Sequence, residues 1–220
     1  MVVVHPNGDG YKEYKMAKFK DSKGKLVRRF GENVFGNPKF DKLLNRKAYA
    51  PGQHGQSRRR RLSNYGVQLQ EKQKIKYMYG LLEKQFRANF KKADKMKGET
   101  GTIMLQLLER RLDNIVYRLA LAPTRPAARQ LVNHGHFLVN DKAVNIPSFS
   151  VKPGDKIKVR DKSKKMDIIL DSMKRIKGDL ELTWLQLDKA KMQGTFIEIP
   201  DRDQMNLTFD ERLVVELYSK

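Results

Sequence analysis

The first 100 residues carry 25 lysines and arginines against only 9 aspartates and glutamates, and that imbalance limits what they can fold into. Like charges at such density repel one another in a compact body unless a polyanion lies against them. The other 120 residues hold 21 basic and 16 acidic side chains, so +16 of the net +21 sits in the first 100. An asymmetry of this kind points to a nucleic-acid-facing segment joined to a more ordinary globular part. A merely solubilising surface, or one that binds an anionic membrane, is the competing reading of the charge; its uneven placement disfavours both.

A hydrophobic content of 39% is enough for one or two small cores and too high for full disorder. The absence of cysteine rules out disulfides, a thiolate nucleophile and cysteine-ligated zinc. No apolar run approaches the roughly 20 residues that span a bilayer. The opening Met1-Val2-Val3-Val4 is too short for a signal-peptide core, because His5-Pro6-Asn7-Gly8 ends it at once. A cytosolic protein is expected.

Residues 1–66 are rich in Gly, Pro, Asn and basic side chains without clear periodicity, and read as extended or irregular, ordered on a partner. Within them the turn-rich Ala50-Pro51-Gly52-Gln53-His54-Gly55-Gln56 leads into Ser57 and four arginines, Arg58, Arg59, Arg60 and Arg61. Guanidinium groups grip phosphate in pairs of hydrogen bonds, so an RNA backbone would relieve their mutual repulsion. A solvated charge run is the alternative. Residues 67–97 turn helical, with Ile75, Tyr79, Leu82, Phe86 and Phe90 forming one apolar stripe and Lys72, Lys76, Lys84, Arg87 and Lys91 lying off it. Phe86 and Phe90 read as core rather than base-stacking rings.

Lys97-Gly98-Glu99-Thr100-Gly101 reads as a hinge, and Thr102 as the cap of a helix whose stripe runs Leu105, Leu108, Leu112, Ile115, Leu119. Thr124 can cap a further helix with Pro126 in its first turn and Gly135 just past its end. Phe137–Val139, a turn at Asn140-Asp141-Lys142, a return through Ala143–Asn145, and a strand with Ile157 and Val159 follow. Two helices and short antiparallel strands result, with Arg125, Arg129, Asn133 and Lys142 along one edge. Many such units bind nothing. Further on, Ile168–Ile176 reads as helix, Trp184–Leu187 and Thr195–Ile199 as strands, and Thr208 with Glu211 as a capping box before a closing helix.

Several stretches resemble the family of small-subunit ribosomal protein four. The Ala50–Gly55 motif with its arginines, and Tyr65-Gly66-Val67-Gln68-Leu69-Gln70-Glu71-Lys72-Gln73-Lys74, are similar to its amino-terminal domain. Arg111-Leu112-Asp113-Asn114-Ile115-Val116-Tyr117-Arg118 resembles the start of the RNA-binding module named after it, and Ala128–His136, Val139-Asn140 and Val144–Ser148 resemble the remainder. The ending Val214–Lys220 also matches, so the resemblance spans roughly residues 16–220. Three departures stand out. The cysteine cluster of many members is missing, which places the chain with the zinc-independent type. Ala120 occupies a position where the family usually has Gly. Residues 1–15 lack a counterpart, and Met16-Ala17-Lys18-Phe19 is similar to the family's usual start, which suggests an extension or a misassigned initiator.

The resemblance implies an α+β protein: a mostly helical first domain and a second α/β domain carrying the two-helix and antiparallel-strand module. The expected divisions are an extension at 1–15, a basic extended region at 16–66, a helical domain at 67–107, the module domain at 108–175, and a 176–220 segment returning to the helical domain. It further implies small-subunit (16S) rRNA as the ligand, a role in nucleating assembly of the 5′ domain, contact with small-subunit ribosomal protein five in translational accuracy, and, in some members, repression through the operon mRNA. Neither a membrane, a small-molecule substrate nor a cofactor is expected. The expected RNA contacts are Gln53, His54, Arg58, Arg59, Arg60, Arg61, Tyr65, Gln68, Lys72, Lys84, Arg87 and Arg118, then Thr124, Arg125, Arg129, Gln130, Asn133, His134, Asn140 and Lys142. A-form RNA hides its base edges in a deep groove, so phosphates, 2′-hydroxyls and junction shape carry such recognition. The rival is an RNA-modifying enzyme, since Arg111-Leu112-Asp113 resembles the core around a pseudouridine synthase aspartate; too little chain follows for that catalytic domain. A free RNA chaperone built from the module alone is a second rival, disfavoured by length.

Overall fold

A computed structural model describes residues 21–57, 61–174 and 182–219. The 1–15 segment, the Met16–Phe19 match, Arg58, Arg59, Arg60 and Ile176 lie outside the described residues. Two hydrophobic cores organise the rest. One gathers Ile75, Tyr79, Leu81, Phe86, Phe90, Met104, Leu105, Leu108, Phe209 and Val214. The other gathers Leu112, Ile115, Leu119, Leu131, Val132, Phe137, Ile157, Val159, Trp184 and Phe196. The architecture is α+β, as expected.

The chain enters through α1 (Lys23–Phe30) and α2 (Pro38–Arg46), where an extended segment was expected. Local signals explain the correction. Asn37 accepts the Lys39 amide with Pro38 in the first turn, and Gly31, at φ +76°, ends α1. Arg28 of α1 donates to the Tyr49 and Ala50 carbonyls at 3.0 and 2.9 Å, fixing the base of the 51–57 loop.

The stretch 67–97 is helical as expected, and its one apolar stripe is carried by two helices, α3 (Asn64–Met78) and α4 (Glu83–Asp94). Between them Gly80 adopts φ +62° and its amide donates to Tyr77, while Leu81 donates to Lys76. That pairing is a Schellman stop, and it redirects the chain without interrupting the apolar spacing. Next come α5 (Thr100–Glu109) and α6 (Leu112–Arg118), again one stripe cut in two. Here the amides of Leu112 and Asp113 donate to the Phe149 and Pro147 carbonyls, so strand-like pairing with 147–151 breaks the helix. Leu105 and Leu108 belong to one core, Leu112, Ile115 and Leu119 to the other. Helix α5 starts at Thr100, not Thr102, whose hydroxyl instead donates to Glu99.

α7 (Arg125–Asn133) is capped by Thr124, which accepts the Ala127 amide at 3.3 Å, and ends at Gly135, φ +70°. β1 (Phe137–Val139), β2 (Lys142–Ala143), β3 (Lys156–Val159), β4 (Leu185–Asp188) and β5 (Gln193–Phe196) form one antiparallel sheet in the order β2-β1-β3-β5-β4. The β1–β2 turn has Asn140 and Asp141 at φ +48° and +63°, the left-handed pair that a two-residue hairpin demands. α8 (Asp167–Met173) lies between β3 and β4. α9 (Glu211–Tyr218) closes the described chain against α3 and α5, with Tyr218 4.6 Å from the Phe90 ring. Its cap is Asp210, which accepts the Arg212 amide, and not Thr208 as the capping-box spacing suggested.

Candidate nucleic-acid interface

Helix α4 buries Phe86, Phe90 and Ala93, so its opposite side faces water. On that side Lys84, Arg87, Lys91 and Lys95 recur at three- and four-residue intervals, all exposed. One line of four cations along a helix is a shape that phosphates can follow. At the start of α3, Arg61 and Tyr65 are exposed, and Gln53 and His54 stand out from the 51–57 loop. The loop is held shut by its own bonds: Ser57 donates to the His54 carbonyl at 2.6 Å, and a Cβ on Gly55 would lie 1.9 Å from the Ala50 oxygen.

In the second unit Gln130, Asn133 and His134 are exposed along the outer side and end of α7, and Lys142 is exposed beyond the hairpin turn. Asn140 is exposed too, but its side chain bridges two turns, donating to Asp155 at 2.7 Å and accepting the Lys156 amide at 3.0 Å. Thr124 is occupied as the α7 cap.

Five expected contacts are not available as free surface groups, and the correction has one cause: the protein supplies their partners. Gln68 and Lys72 are buried on the inner side of α3. Lys72 and Lys76 both donate to Glu83, at 2.7 and 3.0 Å. Arg118 grips the buried Glu109 with two donors, at 3.1 and 2.8 Å. Arg125 is buried, donates to Asn114 at 2.8 Å, and lies over the rings of Tyr117 and Tyr79. Arg129 pairs with Asp113 and donates to the Gly80 and Tyr79 carbonyls, closing the end of α3.

These arginines sit where the two cores meet. Glu109 is fully buried and also accepts from Tyr79 at 2.5 Å and Asn114 at 2.7 Å. Burial alone would raise its pKa, yet the Arg118 charge and hydrogen bonds, helped by Arg125 and Tyr79, hold it below the ordinary carboxylate value. For Arg118 burial works against the charge, but Glu109 outweighs it and raises the pKa. Arg125 is different: burial and the neighbouring Arg118 charge both lower it. Asp113, paired with Arg111 and Arg129, is likewise buried, so the aspartate of the Arg-Leu-Asp motif is a fixed structural anion.

Comparison with known proteins decides the family. Residues 18–109 match the Ribosomal protein S4/S9 N-terminal domain and residues 110–157 match the S4 domain. Small ribosomal subunit protein uS4 of Chlorobaculum tepidum is 53% identical over 205 residues, covering 93% of this chain and 100% of that protein. Those of Parabacteroides distasonis and Bacteroides thetaiotaomicron are each 52% identical with the same coverage. The chain belongs to the uS4 family.

Relatives in the uS4 family are structural proteins of the small ribosomal subunit, not enzymes. Among the described residues, no three His, Asp or Glu side chains converge as metal ligands would, and no helix is long and apolar enough to cross a membrane. His134 and His136 stand with ring centres 6.0 Å apart, and His136 Nδ1 is 2.9 Å from the Ser163 hydroxyl. Two exposed cations escaped the sequence reading. Lys95 continues the α4 line, and its spacing from Lys91 was a usable signal. Arg160 donates to the Gly135 carbonyl beside His134 across 25 residues of sequence, a proximity that no local pattern announces.

Proposed function

We propose that this uS4 chain is a primary binder of small-subunit (16S) rRNA that nucleates assembly of the 5′ domain in the cytoplasm. The observation that carries this reading is the exposed line Lys84, Arg87 and Lys91 on α4, continued by Lys95 at its C-cap, a basic ridge on a helix whose other side is locked into the core. Gln53, His54, Arg61 and Tyr65 extend the same unit's RNA surface. Arg58, Arg59 and Arg60 belong with it on grounds of charge. Gln130, Asn133, His134 and Lys142 give the second unit directed hydrogen bonds to an RNA junction. Two such surfaces on one body raise the effective concentration of the second contact once the first is made. Gln68, Lys72, Arg118, Arg125 and Arg129 support this surface from inside, and Thr124 and Asn140 shape it.

Each cation that neutralises a phosphate releases a counterion, so affinity falls with salt at a slope set by the number of contacts. Replacing Lys84, Arg87 and Lys91 by Ala should weaken binding to a 5′-domain 16S rRNA fragment and reduce the log–log salt slope by about 2 to 3. Filter binding at several salt concentrations measures it, and an unchanged slope refutes the α4 surface. Partnership with small-subunit protein five in translational accuracy, and binding to the operon mRNA, are parts of the same proposal. A misreading reporter in cells carrying surface variants, and binding to the leader RNA of its own operon, test them.

A further inference from the structure

Where the two cores meet, the structure contains a cavity of about 250 Å³. Its wall comes from five separate stretches: Asn33 from the α1–α2 connection, Met78 from α3, Tyr117 and Arg118 from α6, Arg125 from α7, and Thr208 from the approach to α9. Two guanidinium groups line it and no carboxylate does. Arg118 is neutralised by Glu109, but Arg125 has no such partner. Its Nε donates to the neutral Asn114 amide oxygen, and its Nη2 finds no hydrogen-bond partner among the described residues although the side chain is only 8% exposed. A buried cation that meets only aromatic rings and a neutral amide, with no carboxylate paired to it, is a costly arrangement, and a bound anion lowers the cost.

The surrounding network has the same bias. Arg111 and Arg129 pair with Asp113 and Arg118 pairs with Glu109, which leaves Arg125 outside these ion pairs. Asn33, on the cavity wall, holds a buried Oδ1 that is likewise without a partner. An occupant suited to both orphans presents oxygens to a guanidinium and an O–H to an amide oxygen. We propose that this cavity is a phosphate site, taking hydrogen phosphate or a phosphate group with a neighbouring hydroxyl, as in ribose phosphate. Guanidinium and phosphate match in geometry as well as charge. Because the wall draws on both cores, the occupant ties the two units together and stabilises the folded chain by mass action.

The site stands on the cavity and not on the α4 surface, so the two can fail separately. Full-length protein is titrated with inorganic phosphate against a fixed excess of chloride, followed by calorimetry and by phosphorus NMR. One saturable site per chain is expected. Arg125→Lys should weaken it about tenfold, because the flat fork that matches phosphate is lost. Thr208→Glu, at an exposed position, keeps the fold and places a carboxylate on the wall; phosphate binding should vanish while the α4 triple variant leaves it intact. Absence of saturable binding by the folded wild type, or equal binding by Thr208→Glu, overturns the proposal. Repeating the titration with a 5′-domain rRNA fragment bound separates the sources. Lost phosphate binding assigns the site to a phosphodiester of that RNA, and retained binding assigns it to free phosphate.

Discussion

Among the described residues, three helices stop in the same way, and one of them stops on an unsuitable residue. α3 and α7 end with Gly80 and Gly135 in the left-handed region, each followed by the paired hydrogen bonds of a Schellman motif. α6 ends with the same pair, Ala120 to Tyr117 and Leu121 to Val116, but Ala120 must hold φ +50°. A Cβ in that region clashes with the following carbonyl at a cost of roughly 1 to 2 kcal/mol, which Gly avoids. Ala120→Gly should therefore stabilise the protein by about 0.5 to 1 kcal/mol, after allowing for the freer unfolded chain. Urea unfolding checks it, as a raised midpoint with an unchanged slope. The stop itself was legible at Thr124 and Gly135, where cap residue and glycine bracket α7. At Ala120 the residues gave no local reason for a turn, and only the comparison with the family's usual Gly marked the place.

At the scale of elements, Glu83 at the start of α4 is a three-way clasp. It accepts from Lys72 and Lys76 of α3 and from the Tyr218 hydroxyl of α9 at 3.0 Å. Its partial burial would raise the pKa, but the bonds from Lys72, Lys76 and Tyr218 prevail and bring it from 4.5 to about 2. The folded state thus holds its proton less tightly than the unfolded chain. The resulting stability is present above about pH 4.5 and is lost as the pH falls through about 2. Glu83→Gln should be less stable than wild type at neutral pH, with the difference shrinking between pH 4.5 and 2; stability measured by urea at each pH tests this. The side chain remains 46% exposed, so solvent screening keeps the effect small. The sequence placed Lys72 off the apolar stripe and hence toward RNA. Its burial came from α9, more than 130 residues away, which no window on α3 could reveal.

Across the whole molecule, the two cores are coupled through buried charge. Removing the negative charge in Glu109→Gln leaves Arg118 buried without its counter-ion, at a cost of roughly 3 to 5 kcal/mol. Trp184, the single tryptophan, lies buried in the sheet's core and reports on that unit alone. For the wild type, urea transitions followed by Trp184 fluorescence and by helical circular dichroism should coincide. In Glu109→Gln they should separate, because the cooperative link between the cores is weakened. Coincident transitions in the variant would show that the cores are coupled by packing instead.

Sequence alone determined the charge imbalance, the apolar stripes, the caps of α7 and the alternation of β1 and β3, because each of these is a local or additive property of neighbouring residues. Through its motifs it also determined the family. Tertiary structure decided which cations face solvent. Lys84 and Arg87 do, while Lys72, Arg118 and Arg125 are claimed by Glu83, Glu109 and Asn114. It decided as well that the second stripe becomes two helices, since the break at Arg111 answers to the Pro147 and Phe149 carbonyls far along the chain, whereas the break at Gly80 is a local stop. A basic side chain reads the same in sequence whether it meets a phosphate or a buried carboxylate; only the folded neighbourhood separates the two.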